Sequence, residues 1–151
     1  MRSTRSVADD GGLALETRQT YDGLGAKQAL LDPNGGLTRW TFDSLGRPVS
    51  MTDALGQTAH STYDGESLKL SDTDRRGVTT TYTYDSLGRR ASTTDPYGRV
   101  TTYQYDLQGK LVRTTWPDGT FVQQAWDATG RRTSATNEEG QVTTYGYDAL
   151  G

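Results

Sequence analysis

An aromatic residue followed by aspartate recurs every 21 residues, without one insertion or deletion. The pairs are Tyr21-Asp22, Phe42-Asp43, Tyr63-Asp64, Tyr84-Asp85, Tyr105-Asp106, Trp126-Asp127 and Tyr147-Asp148. Counting the aromatic as position zero, glycine holds position four as Gly25, Gly46, Gly88, Gly109, Gly130 and Gly151, with Ser67 the exception. A second glycine holds position fourteen as Gly35, Gly56, Gly77, Gly98, Gly119 and Gly140. A fixed short period restricts a chain to stacked supersecondary units, each completed by its neighbours. Six full units run from residue 21 and a seventh stops at Gly151. Residues 1–20 form a lead-in in which Gly11-Gly12-Leu13 resembles Gly35-Gly36-Leu37 but is out of phase.

Each unit carries two turn signals of the same chemistry. One follows the aromatic, as in Asp85-Ser86-Leu87-Gly88, and the other reads Asp95-Pro96-Tyr97-Gly98. Aspartate at the first position of a type I turn accepts backbone hydrogen bonds, and proline at the second presets φ. A type I turn closed by a left-handed glycine is a common hairpin connection. The runs between the turns, such as 89–94 and 99–105, are rich in Thr, Val and Tyr, which suit a pleated surface. At 3.3 Å per residue each run spans roughly 20 Å. Helix is disfavoured, because glycine recurs too often and no apolar set keeps a 3.6-residue spacing.

The expected fold is therefore all-β: tandem 21-residue β-hairpins joined into a long, coiled antiparallel sheet of about twelve strands. Period two puts Tyr105, Tyr103 and Thr101 on one face and Gln104, Thr102 and Val100 on the other. A second aromatic two residues before the next pair (Trp40, Tyr82, Tyr103, Tyr145) extends the same-face ladders. Ser61 and Gln124 replace it in two units. Only 32% of residues are apolar and there is no isoleucine, so a dry sandwich core is not expected.

Composition removes several function classes. No window approaches the length of an apolar membrane span, and residues 1–10 lack the apolar stretch of a signal peptide. A net charge of −3 without a basic cluster argues against a nucleic-acid partner. The absence of cysteine removes disulfides, thiol catalysis and zinc–thiolate sites.

The string Tyr84-Asp85-Ser86-Leu87-Gly88-Arg89, followed by Thr94-Asp95-Pro96-Tyr97-Gly98 and Thr101-Thr102-Tyr103, resembles the YD repeat of the Rhs (rearrangement hotspot) family. That family is related to the shells of Tc toxin complexes, to wall-associated proteins and to teneurins. The resemblance covers residues 21–151. It implies a segment of a spiral β-shell that encloses a polymorphic toxin used in interbacterial competition, secreted or displayed at the cell surface. The implied partners are the rest of a larger Rhs-type polypeptide and its enclosed toxin domain. Asp95-Pro96 and Asp32-Pro33 lie inside ordinary repeat turns, and no self-cleavage is carried over to them.

The aromatic–aspartate pairs are expected to be ladders and turn caps. The competing reading is a carbohydrate-binding or adhesion surface, since exposed rings stack on sugars. The acidic stretch Asp72-Thr73-Asp74-Arg75-Arg76-Gly77 lacks the spacing of a calcium loop and reads as turn chemistry. His60, the single imidazole, falls where other units carry Thr, Arg or Gln and has no identifiable catalytic partner. The basic residues after the first turns (Arg47, Arg89, Arg90, Lys110, Arg131, Arg132) read as solvated charges that discourage sheet pairing, or as a row steering an acidic cargo. Trp116 replaces the aspartate of a second turn, and Asp118-Gly119 suggests a shifted loop there. No catalysis, cofactor or metal is expected, and open sheet edges invite self-association.

Overall fold

The computed structural model describes the backbone of residues 2–6 and residues 17–148. The described residues form strands and turns, and the chain divides into two compact units between Thr79 and Thr80. In the first unit the strands are β1 (Arg2–Ser6), β2 (Thr17–Tyr21), β3 (Lys27–Leu31), β4 (Leu37–Phe42), β5 (Pro48–Thr52), β6 (Thr58–Tyr63) and β7 (Lys69–Thr73). In the second they are β8 (Thr79–Tyr84), β9 (Arg90–Thr94), β10 (Val100–Tyr105), β11 (Leu111–Thr115), β12 (Phe121–Trp126), β13 (Arg132–Thr136) and β14 (Val142–Thr144). Within each unit every strand pairs antiparallel with its chain neighbours. The all-β hairpin-repeat fold expected from the period is the fold observed. Strands β3 to β14 are those of the repeats, and β1 and β2 add two from the lead-in. The out-of-phase Gly11-Gly12-Leu13 and the last glycine, Gly151, lie outside the described residues.

The faces also follow the period. In β10, Val100, Thr102 and Gln104 are exposed while Thr101, Tyr103 and Tyr105 are half-buried. The half-buried ladder is Tyr103 opposite Thr114 and Trp40 opposite Met51. On the exposed face, Thr41 bonds Ser50 at 2.7 Å, and Thr62–Ser71 and Thr83–Ser92 repeat the contact. Among the described residues none is fully buried. Cohesion therefore rests on pairwise cross-strand contacts, each of about 0.2–1 kcal/mol, rather than on a core.

Twelve turns share one geometry. At the first turn of the fourth repeat, Asp85 N–H donates to the Arg89 carbonyl at 2.9 Å and Gly88 N–H to the Asp85 carbonyl at 3.0 Å. Gly88 has φ +75°, a left-handed conformation that glycine adopts without strain. The ladder slips by one residue beside the first turn of each repeat, as between Gln104 and Tyr105, which increases local twist, whereas the strands joined by second turns pair without a slip. Ser67 must hold the same place at φ +69°, where a side chain costs roughly 1–2 kcal/mol. Glycine gives back part of that relief through its freer unfolded chain. Ser67→Gly is expected to raise stability by about 0.5 kcal/mol. An unchanged or lower urea midpoint would show that Ser67 is not strained.

Candidate functional site

The residues that carry the repeat signature are engaged with one another. Nine of the ten turn-initiating aspartates use one carboxylate oxygen to accept two turn amides. Oδ1 of Asp85 accepts the amides of Leu87 at 2.9 Å and Arg89 at 3.0 Å. The same pair of bonds occurs at Asp22, Asp43, Asp64 and Asp127 in first turns, and at Asp32, Asp53, Asp74 and Asp95 in second turns. At Asp106 the Lys110 amide is held at 2.8 Å. Asn137 does the same work through its amide oxygen. The carboxylate is thus a turn cap, as expected from the sequence.

The second carboxylate oxygen explains the basic row. Asp85 Oδ2 accepts Arg89 Nε at 2.8 Å, and Asp43 holds Arg47 Nε at 2.6 Å. So oriented, the guanidinium leaves its own hairpin. Arg89 Nη1 donates to the Asp106 carbonyl at 3.0 Å while the group stacks 4.7 Å from the Tyr105 ring centre. Arg47 repeats this on the Asp64 carbonyl at 2.7 Å and over Tyr63 at 4.9 Å. Lys110 reaches the Gly130 carbonyl at 2.6 Å and lies 4.5 Å over Trp126, and Arg131 lies 4.7 Å over Tyr147. The aromatic residue answers in the reverse direction. Tyr105 Oη donates to the Arg90 carbonyl at 3.0 Å, Tyr63 Oη to Pro48 at 3.2 Å and Tyr147 Oη to Arg132 at 2.8 Å. Position five of one repeat and position zero of the next therefore form a clamp.

The clamp corrects the reading of Arg47, Arg89, Lys110 and Arg131 as solvated edge charges. Sequence reasoning missed it because Arg89 and Tyr105 lie 16 residues apart. No coincidence by repeat signals it: the base is absent at Ala26, where the following aromatic is Phe42, but also at Leu68, where it is Tyr84. Arg90 and Arg132 do a related task, stacking 4.2 Å from Tyr82 and 4.5 Å from Tyr145. Lys27 similarly covers Trp40 at 5.2 Å.

The remaining candidates resolve into local structure. Asp72 and Asp74 have separate roles. Asp72 accepts Ser61 Oγ at 2.5 Å and Lys69 Nζ at 3.1 Å, whereas Asp74 caps its turn and holds Arg76. His60 is exposed in β6, opposite Ser50 and Thr73. Trp116 does not shift its loop: Trp116 N–H meets the Thr120 carbonyl at 2.9 Å, and Gly119 keeps φ +86°. Asp118 bonds the amide and hydroxyl of Thr120 instead. Backbone geometry and glycine hold this turn without the usual cap.

An open groove of about 700 Å³ runs along the second-turn ends of the second unit, lined by Asp95, Arg99, Trp116, Pro117 and Glu138 among others. Asp95 is already bound to Arg99 at 2.6 Å and to its own turn amides. Among the described residues no three His, Cys, Asp or Glu side chains gather in a metal-binding cluster. No helix of the described residues is long and apolar enough to cross a membrane.

Asp43, Asp72, Asp74, Asp85, Asp95, Asp118 and Asp127 are stronger acids than usual. At Asp127 the Thr129 hydroxyl, then the Arg131 amide and guanidinium, hold the carboxyl far below the ordinary range. At Asp43 the Arg47 amide lowers it against a desolvation cost, with the Arg47 guanidinium adding to the effect. At Asp85 partial desolvation acts upward and is outweighed by the amide and guanidinium of Arg89.

Comparison with known proteins agrees with this geometry. The family model described as RHS Repeat matches residues 27–58, 63–100, 92–120 and 126–151, more than half of the chain. No curated protein matches the sequence. Among solved structures, the crystal structure of TcdB2-TccC3-Cdc42 superposes with a TM-score of 0.67 at 22% identity, covering 86% of this chain and 7% of that one. The Photorhabdus luminescens Tc holotoxin pore, solved with a TccC3 variant, gives a TM-score of 0.65 at 19% identity over 89% of this chain and 8% of that one. TcdB2-TccC3 without its hypervariable C-terminal region gives 0.66 at 22% identity, again over 86% and 7%. The chain spans less than a tenth of the length of these structures, and at such identities the likeness is one of fold.

Proposed function

The chain belongs to the RHS repeat family, and from that premise we propose that it is a stretch of wall in a β-shell built by a larger polypeptide. The shell would enclose and help deliver a toxin domain in competition between bacteria, outside the producing cell, and the wall itself would do no chemistry. The observation that carries this reading is the clamp. The aromatic, acidic and basic positions of the repeat are spent on holding turn to turn and repeat to repeat. A wall needs that arrangement, whereas an active site needs groups left over for a substrate.

The same observation is why a carbohydrate-binding surface is not advanced. The rings of Tyr63, Tyr105, Trp126 and Tyr147 already have a cation on one face. The fold likeness to Tc toxin components lends the wall reading support of a different kind.

The test is the mass of the native polypeptide in its source cells, read with an antibody against this segment. A band several times larger than 16.5 kDa is expected. A band at 16.5 kDa would overturn the wall reading and favour a free-standing repeat protein.

A further inference from the structure

Trp116 stands where the repeat elsewhere keeps a capping residue. The second turn opens on Asp32, Asp53, Asp74, Asp95 and Asn137 in the other repeats, and each of these caps its own turn amides. Tryptophan forgoes that cap, so the turn gains nothing from it. A local rule broken without local gain points to a function. The ring lines the open groove of about 700 Å³ in the second unit, a volume in the range of ligand sites.

Three groups lining this groove are without partners. The first is the ring. Trp40 lies under Lys27, and Trp126 lies under Lys110 and donates Nε1 to the Leu111 carbonyl. Trp116, half-buried, has no cation on its ring and no acceptor for Nε1 among the described residues. The second is Glu138, whose exposed carboxylate makes no hydrogen bond or ion pair among the described residues. The third is Thr93 Oγ1, which is buried with no hydrogen-bond partner. Asp118 adds a further acceptor, because its bonds to Thr120 use Oδ1 alone. The one base lining the groove, Arg99, is already tied to Asp95.

We propose that this groove binds the arginine side chain of a basic peptide segment from a partner protein. An uncovered indole face attracts a cation, and the free oxygens of Asp118, Glu138 and Thr93 can all accept hydrogen bonds. A guanidinium consists only of donors and stacks on aromatic rings. The chain uses the same pairing internally, where Arg47, Arg89 and Arg131 lie over Tyr63, Tyr105 and Tyr147. At Trp116 the ring is present and the guanidinium is not. Two carboxylates without a neutralising base oppose an anionic ligand. The open form of the groove admits a side chain carried on a main chain. This inference rests on a departure from the repeat, so it goes beyond the wall reading and stands without it.

The probe is the blocked peptide Gly-Gly-Arg-Gly-Gly, titrated into isotope-labelled full-length protein. The indole Nε1–H resonances of Trp40, Trp116 and Trp126 report which ring is approached. The Trp116 resonance is expected to move and saturate while the other two stay still. The same peptide with citrulline for arginine keeps the shape and loses the charge, and should bind roughly tenfold more weakly. Glu138→Gln should weaken the arginine peptide several-fold. Trp116→Asp restores the cap of the other repeats, and a urea midpoint no lower than wild type checks that it folds. Its binding should be lost even though the groove is then more acidic. Retained or tighter binding by Trp116→Asp would mean attraction to acidic groups alone and overturns the proposal. Equal binding of the citrulline peptide, or equal movement of the three indoles, also overturns it. A Trp116 resonance that answers cellobiose and not the arginine peptide overturns it in favour of a sugar site.

Discussion

Arg89→Ala is expected to destabilise the chain by roughly 2 kcal/mol, an outsized loss for a side chain one quarter exposed. The guanidinium serves two hairpins at once. It meets Asp85 in its own turn, and it meets the Asp106 carbonyl and the Tyr105 ring in the next repeat. A stacked cation contributes about 0.5–2 kcal/mol and a charge-assisted hydrogen bond about 1.5–3 kcal/mol, discounted here for solvent. Arg89→Lys should recover part of the loss, because Lys110 occupies the equivalent place and still reaches both a carbonyl and a ring. Arg99→Ala is the control. That guanidinium is 63% exposed and meets Asp95 and Tyr97 of its own turn, so little should change. Urea unfolding of the three variants measures this. Equal effects from Arg89 and Arg99 would mean that the clamp between repeats contributes nothing.

Acid should unfold the protein over a defined window. The carboxyls of Asp43, Asp72, Asp74, Asp85, Asp95, Asp118 and Asp127 are all held below their ordinary value in the folded chain. A depressed folded pKa means that the unfolded chain binds more protons as pH falls through the ordinary value of about 3.9. The associated stability is therefore complete above that value and is lost progressively below it. The urea midpoint is expected to stay level from about pH 7 to 5 and to fall steeply below about pH 4. Asp127→Asn should shallow the fall, because an amide oxygen can still cap the turn, as Asn137 does, but cannot bind a proton in that range. A midpoint that holds to pH 2.5 would contradict the role given to the carboxylates.

These predictions rest on features that were legible to different degrees. The turns, the strands and the face assignment followed from aspartate, glycine and period two, because each is decided by neighbours along the chain. Gly88 and Asp85 specify a turn with their own backbone and three residues around them. The clamp was not legible in that way. A basic residue after a turn looks solvated until the next hairpin brings a ring beneath it, and that placement depends on how far each ladder slips at its bulge. Trp116 misled for the opposite reason. Losing the aspartate suggested a different loop, yet the left-handed glycine and the two backbone bonds were enough to keep it. Ser61 and Asp72 show a third case. Where the aromatic of the ladder is missing, a hydroxyl and a carboxylate bond each other instead, with Lys69 alongside.

The result is a scaffold whose stability is distributed. Most repeats are held by their own two caps and by a clamp to a neighbour, with no buried core among the described residues. Such a strip extends by adding repeats and tolerates a degenerate unit such as the one at Tyr63, where Ser67 replaces glycine and Leu68 replaces the clamping base.

Residue-resolved hydrogen exchange at pH 6 tests the central claim most directly. The account predicts slowed exchange at the turn amides bound by carboxylates: Leu87 and Arg89 on Asp85, Tyr97 and Arg99 on Asp95, Thr129 and Arg131 on Asp127. That protection should weaken on acidification before the strand ladders open. Exchange of these amides at the rate of an unstructured peptide, with protection gathered in one cluster elsewhere, would contradict it.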